Sequence, residues 1–296
     1  MTKTSEIGAA LRKIWTGGRR VERIAYCVGA VLFASGLVHL SVLLFSGASW
    51  TGPLSLRKPT TFGLSFGLTL ATVAWATSFV ALRSGTRTFL LGLFTLASAV
   101  ETALVSMQAW RGVPSHFNFE TGFDSAVSTT LAAGGGVLIF TTLGCTAAAV
   151  RGAAKISPSM LLAVRFGFLA LLVALGAGAA MIAAGVGEAR GGDPQLAYTT
   201  AGALKPVHAV AMHAILVLPA LAWLLRFAAW TERRRVVVVW AAIGAYALLI
   251  AVVAIESWTG IPPLAAPLPY AGASLLALAV LAGAGVSALR GVLTRR

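Results

Sequence analysis

Eight apolar runs dominate the chain, at residues 24–46, 59–82, 88–110, 125–150, 162–187, 206–227, 236–257 and 268–290. A helix needs about 20 mostly apolar residues to cross a hydrocarbon core ~30 Å thick, and each run is long enough. The runs are rich in Ala and Leu and far exceed strand length, so they read as helices rather than barrel strands. A water-solvated domain could not hide this much apolar surface, because 58% of the residues are hydrophobic and only 11% are charged. The expected fold class is an all-α polytopic membrane protein with eight transmembrane helices.

The net charge of +14 invites a nucleic-acid partner, but its distribution argues against one. With the amino terminus inside, eight spans put 18 of the 23 basic residues and only three of the nine acidic ones on the cytoplasmic side. That is the positive-inside bias that orients membrane proteins. The basicity is thus topological: both termini are expected in the cytoplasm, in a plasma (inner) membrane, with lipids rather than nucleic acid as partners. The first run exceeds the about 7–15-residue apolar core of a signal peptide, so no cleaved leader is expected. Ahead of it, in segment 1–23, Ile7, Leu11, Ile14 and Trp15 share a helical face beside Arg12 and Lys13. This reads either as an interfacial helix on anionic lipid or as a basic tail.

The chain repeats itself at half its length. Trp110-Arg111-Gly112-Val113-Pro114 aligns with Trp258-Thr259-Gly260-Ile261-Pro262, 148 positions on in a 296-residue chain. Trp75 aligns with Trp223, Arg87 with Arg235 and Gln108 with Glu256 at the same offset, and Lys58-Pro59 with Lys205-Pro206 at 147. Two tandem four-helix units are expected, 24–150 and 162–296, joined by a cytoplasmic linker at 151–161. Four spans return a chain to its starting side, so the units share orientation and a pseudo-two-fold axis along the membrane normal. In layout this resembles tandem four-helix membrane proteins such as haem A synthase, whose ligand motifs are absent here. Glycine supports close helix packing in such bundles, as at Gly63-xxx-Gly67 and Gly134-Gly135-Gly136.

Most polar residues with chemical potential fall near the outer side. Each Lys-Pro starts a helix, where unpaired N–H groups and the positive dipole end point outward. Lys58 and Lys205, with Arg57 and Arg111, would attract an anion there, unless the lysines merely snorkel to the interface. His39 and His213 both lie about seven residues inside the outer end of a span, ~10 Å deep. Two such histidines suit a b-type haem or a metal, with Met212 as a further soft ligand and the basic residues holding propionates. His208 lies ~140° from His213 around the helix, so the two make no metal clamp; it shares a face with Lys205 and Met212. The matching face of the second span carries Thr61, Ser65, Thr69 and Thr72.

Glu101, deep in the third span, should be protonated or paired, with His39, His213 or Arg111 as partner, and suits proton handling. Arg111, Ser115, His116, Asn118, Glu120 and Asp124 occur in the first copy only, suggesting a lid or binding loop beside Gln108, His208 and Glu256. The second copy has Thr259, Pro263 and Leu264 at the places of Arg111, Ser115 and His116. No phosphate loop, dinucleotide fingerprint or His-Glu-x-x-His motif is present. Three functions fit: a haem or redox protein, a transporter or binding protein for a small anionic or lipid-like ligand, and a metal-dependent intramembrane hydrolase. The topology predicts that single cysteines at positions 58 and 205 react with a membrane-impermeant thiol reagent outside intact cells. Cysteines at 83 and 233 should react only after lysis; the reverse pattern would invert the chain.

Overall fold

The computed structural model describes residues 3–47, 49–52, 54–152, 156–192, 196–197, 202–262 and 265–294. Part of the linker (153–155), with Pro263 and Leu264 of the compared second loop, lies outside the described residues. The described residues form helices without strands: α1 Lys3–Thr16, α2 Arg20–Phe45, α3 Arg57–Thr77, α4 Ser84–Trp110, α5 Gly122–Arg151, α6 Pro158–Arg190, α7 Lys205–Leu225, α8 Glu232–Thr259 and α9 Leu268–Leu293.

All but α1 and α3 have the length and apolarity to cross a membrane, giving seven candidate spans and a multi-pass membrane protein. The sequence expected eight, and α3 is the one that falls short. Its 21 residues include Thr60, Thr61, Ser65, Thr69 and Thr72, which lower its apolarity. The helix instead sits among α2, α4 and α7, where a wall of protein takes the place of lipid and a polar face is tolerated. Its buried hydroxyls bond carbonyls of their own turn, Thr60 to Leu56 O at 2.9 Å and Thr72 to Leu68 O at 2.8 Å. The same device satisfies Thr95, Ser98 and Thr102 in α4, as a waterless interior requires.

The start of α2 and the ends of α3 and α7 line one cavity, and Gly291 of α9 abuts Ala228 and Trp230. Both ends of the described chain therefore lie at one end of the bundle, the terminus end; the other is the loop end. Backbone-to-backbone contact locks α2 to α3. A Cβ on Gly63 would fall 2.5 Å from Gly36 N, and one on Gly67 2.6 Å from Gly29 O. No side chain fits there, so the expected role of Gly63 and Gly67 in close packing holds. The corresponding pair α6 and α7 approaches at Gly167, where a Cβ would meet Ile215 Cδ1 at 2.8 Å.

Several local geometries recur at the offset read in the sequence. Helices α3 and α7 begin at Arg57 and Lys205, and α4 and α8 at Ser84 and Glu232. Arg87 donates to Thr77 O and, at 2.8 Å, to Val80 O; Arg235 donates to Ala228 O at 3.0 Å. Trp75 stacks edge-on against Phe79 at 5.4 Å, and Trp223 against Phe227 at 4.9 Å. Helices α4 and α8 end on left-handed glycines, Gly112 (φ 68°) and Gly260 (φ 71°). In each, the next amide reaches back, Val113 N to Gln108 O and Ile261 N to Glu256 O, at 3.1 and 2.9 Å. Left-handed backbone favours glycine, which explains glycine at both positions.

Replacing Gly63 by Val should separate α2 from α3 and cost on the order of 3 kcal/mol. Gly92→Val, where an added Cβ meets nothing within 4 Å, should leave the melting temperature in detergent nearly unchanged. Equal effects of the two substitutions would contradict the close contact.

Candidate functional site

At the loop end, α3 packs against α7, and Lys205 in the first turn of α7 acts electrostatically on Lys58 in the first turn of α3. Lys58 lies within electrostatic reach of Lys205, Arg57 and Glu101, and Arg57 also acts on Lys205. Proline suits these first turns because it lacks an N–H that would find no intrahelical partner there. Glu101 approaches from α4 and is only 4% exposed. Its carboxyl rests on α5, where it accepts from the Gly135 backbone, and a Cβ on Gly134 would collide with its Oε1. Gly134 therefore makes room for a carboxylate, not for a neighbouring helix backbone, and Gly135 and Gly136 face open space. This corrects the packing role expected for the triple glycine. It also replaces His39, His213 and Arg111 with Lys58 as the charged neighbour of Glu101.

The loop between α4 and α5 is anchored internally. Asp124 accepts from Arg111 at 2.7 Å, from Gln108 Nε2 at 2.9 Å and from Thr121 at 2.6 Å, and Arg111 also donates to Gln108 Oε1. Arg111, Gln108 and Asp124, expected around a ligand, thus bind one another and join the end of α4 to the start of α5. Ser128 Oγ holds the turn by donating to Asn118 O at 3.0 Å and accepting from Asn118 N at 3.2 Å. The amide Nδ2 of Asn118 is buried without a hydrogen-bond partner. Phe117 sits in left-handed backbone at φ 61°, uncommon for a bulky residue. Its ring occupies the notch left by Gly185 of α6, where a Cβ would overlap it. The loop therefore crosses the loop end and rests on the second half.

His116 follows the same path inward. Its ring meets Phe62 of α3 at 5.9 Å and its Nδ1 lies 3.1 Å from Ser115 Oγ. Burial, aided by the positive charge of Lys58, holds its pKa well below the usual imidazole range, so it is neutral at physiological pH. It offers the cluster a neutral donor or acceptor and no further positive charge.

The remaining histidines are occupied elsewhere. His39 donates from Nδ1 to Ser35 O at 2.8 Å and accepts at Nε2 from Trp110 Nε1 at 3.0 Å, the assignment that satisfies both contacts. His213 is exposed, with Nδ1 2.6 Å from Ala209 O. A haem between His39 and His213 would need both rings freed and turned to one cleft. His208 is half-buried on the other side of α7, its Nδ1 2.7 Å from Ala174 O, as the helical angle between the two histidines required. Met212 packs on the hydrophobic core. Glu256 is buried at the end of α8. Among the described residues, no three of His, Cys, Asp and Glu gather as a metal site would need.

Sequence reasoning did not foresee the Trp110–His39 bond, Phe117 on Gly185 or Gly134 under Glu101. Comparison with family models, with curated proteins and with solved structures gives no match for this chain.

The His39 contact yields a paired prediction. Trp110→Phe keeps the ring and removes the donor, leaving a buried acceptor unmet, and should lower stability by about 1–2 kcal/mol. Trp258→Phe at the equivalent place, where the ring is 82% exposed, should change thermal stability little. A null effect at both positions would mean the bond is not made.

Proposed function

We propose that this protein is an eight-span transporter or membrane binding protein for a small anion, built from two four-helix halves, 24–150 and 162–296, about a pseudo-two-fold axis. The recurrence at offset 148 supports the duplication: matched helix starts, the two guanidinium clasps and the two left-handed glycines. Counting α3 as the eighth span rests on its 21-residue length and on its enclosure by neighbouring spans. The positive-inside bias favours cytoplasmic termini and a loop end facing outward.

The observation that carries the function is the convergence of Lys58 and Lys205 from opposite halves beside Glu101. Lys205, Arg57 and Glu101 all act on Lys58, so cationic side chains from both halves gather around one carboxylate near the mouth of the bundle. An anion entering from the loop end takes the place of Glu101 against the lysines, while neutral His116 offers a directional hydrogen bond. Glu101, already held on α5 by the Gly135 backbone, is thus the resident counter-charge that an entering anion replaces. The haem and hydrolase readings find less support, since His39 and His213 are engaged elsewhere and no three-residue metal set gathers among the described residues.

Binding is testable by anion-dependent thermal stabilisation in neutral detergent, with chloride, inorganic phosphate and acetate as probes. Each lysine removed, Lys58→Gln or Lys205→Gln, should weaken affinity about tenfold or more, as expected for a charge-assisted hydrogen bond of about 1.5–3 kcal/mol. Glu101→Gln should tighten binding by removing the competing carboxylate. Unchanged affinity in the double lysine variant, or no response of the unaltered protein to any probe, would overturn the reading.

A further inference from the structure

A polar cavity lies at the opposite end of the molecule, remote from the lysine pair. It encloses about 280 Å³ between α1 and the terminus ends of α2, α3 and α7. Trp75 of α3 and Trp223 of α7 form its walls, with Tyr26 of α2 beside them, and Lys13 of α1 and Arg226 after α7 bring positive charge. The acidic residue in its lining, Glu22, is committed already. It accepts from the Arg19 backbone and guanidinium, both at 2.8 Å, and lies 3.6 Å from Arg87. Among the described residues, the Arg226 guanidinium faces the rings of Trp223 and Phe227, at 5.6 and 4.7 Å. Neither indole N–H has a protein acceptor among the described residues, and the Ser78 hydroxyl donates to Trp75 O at 2.6 Å. The cavity is therefore rich in donors and positive charge, and its one carboxylate is neutralised.

Helix α1 adds the location. Leu11 and Trp15 are 53% and 48% exposed, while Ile14 and Lys13 of the same helix line the cavity. Arg12 and Lys13 are exposed beside them; a helix that exposes apolar and basic side chains together lies in the membrane interface, so the cavity opens at headgroup depth. Its volume falls just below the ~300–1,000 Å³ of pockets that enclose whole ligands. It suits a headgroup whose acyl chains remain in the bilayer.

We infer that this cavity binds the phosphate headgroup of an anionic phospholipid from the leaflet at the terminus end. Lys13 and Arg226 neutralise the phosphodiester, the indole N–H groups of Trp75 and Trp223 donate to its oxygens, and α1 closes over it. The test titrates dioleoylphosphatidylglycerol, dioleoylphosphatidylcholine or inorganic phosphate into the full chain in neutral detergent. The readouts are thermal stability and lipid retention in native mass spectrometry. Phosphatidylglycerol should stabilise and be retained, whereas the other two should not. Lys13→Gln with Arg226→Gln should weaken the phosphatidylglycerol effect about fivefold per cation removed, with the lipid-free melting temperature unchanged. Trp75→Phe with Trp223→Phe should weaken it too, providing a second variant should the first fold poorly. Equal response to phosphatidylcholine, or equal response in both variants, would overturn the site. A match by inorganic phosphate would overturn the lipid assignment. Lys58 and Lys205 are untouched in these variants, so the outcome is separate from that of the loop-end reading.

Discussion

Like charges near one another in a weakly polar wall repel strongly, and this repulsion governs how the loop end must be built. Two unit charges ~6 Å apart at an effective dielectric of about 20 interact by about 3 kcal/mol. Lys58 and Lys205 lie within such influence of each other, with Arg57 adding to it. The arrangement is tolerable because Glu101 shares the space, and Glu101 in turn fits only because α5 has Gly134 where any side chain would strike its carboxyl. The anion proposed above would add to that counterweight. Protein enclosure, polar stripe and glycine gap then become parts of one electrostatic solution.

Placing those charges requires helices that cannot drift. Helix α3 is fixed along its length by the glycine contact with α2, where backbones meet without side chains between them. In lipid the hydrophobic effect contributes little to helix association, so such close van der Waals contact does the holding. At the terminus end, the Arg87 and Arg235 guanidinium groups hold the chain carbonyls that follow α3 and α7. Each clasp satisfies buried acceptors while fixing how the next span departs. The loop over the other end is joined by Asp124 and rests through Phe117 on α6, coupling the two halves where the lysines meet.

Much of the helical layout was legible in the residues. Apolar run length located the spans, because it depends on bilayer thickness and hardly on tertiary contacts. It does not decide α3, whose threonines lower its apolarity and are acceptable where other helices surround it. The offset of 148 also pointed to matched geometry, since glycine at a helix end and proline at a helix start respond to local backbone demands. Pairings between spans were far less legible. His39 and His213 share a depth, but depth does not reveal that one bonds Trp110 while the other faces outward. Arg111 read as a ligand group because its partner, Asp124, lies across a turn whose path no periodicity predicts. Lys58 and Lys205 were easier to single out, because each stands before a proline in the first turn of a helix and those two helices pack on each other.

That meeting of the two lysines is most directly measured as a distance. With Cys27 and Cys145 replaced by Ala, cysteines at positions 58 and 205 would carry spin labels in lipid nanodiscs for pulsed electron resonance. The account predicts one narrow distribution at the short limit of the method and efficient intramolecular joining by a short thiol cross-linker. A broad distribution centred beyond ~30 Å, the thickness of the hydrocarbon core, would contradict it.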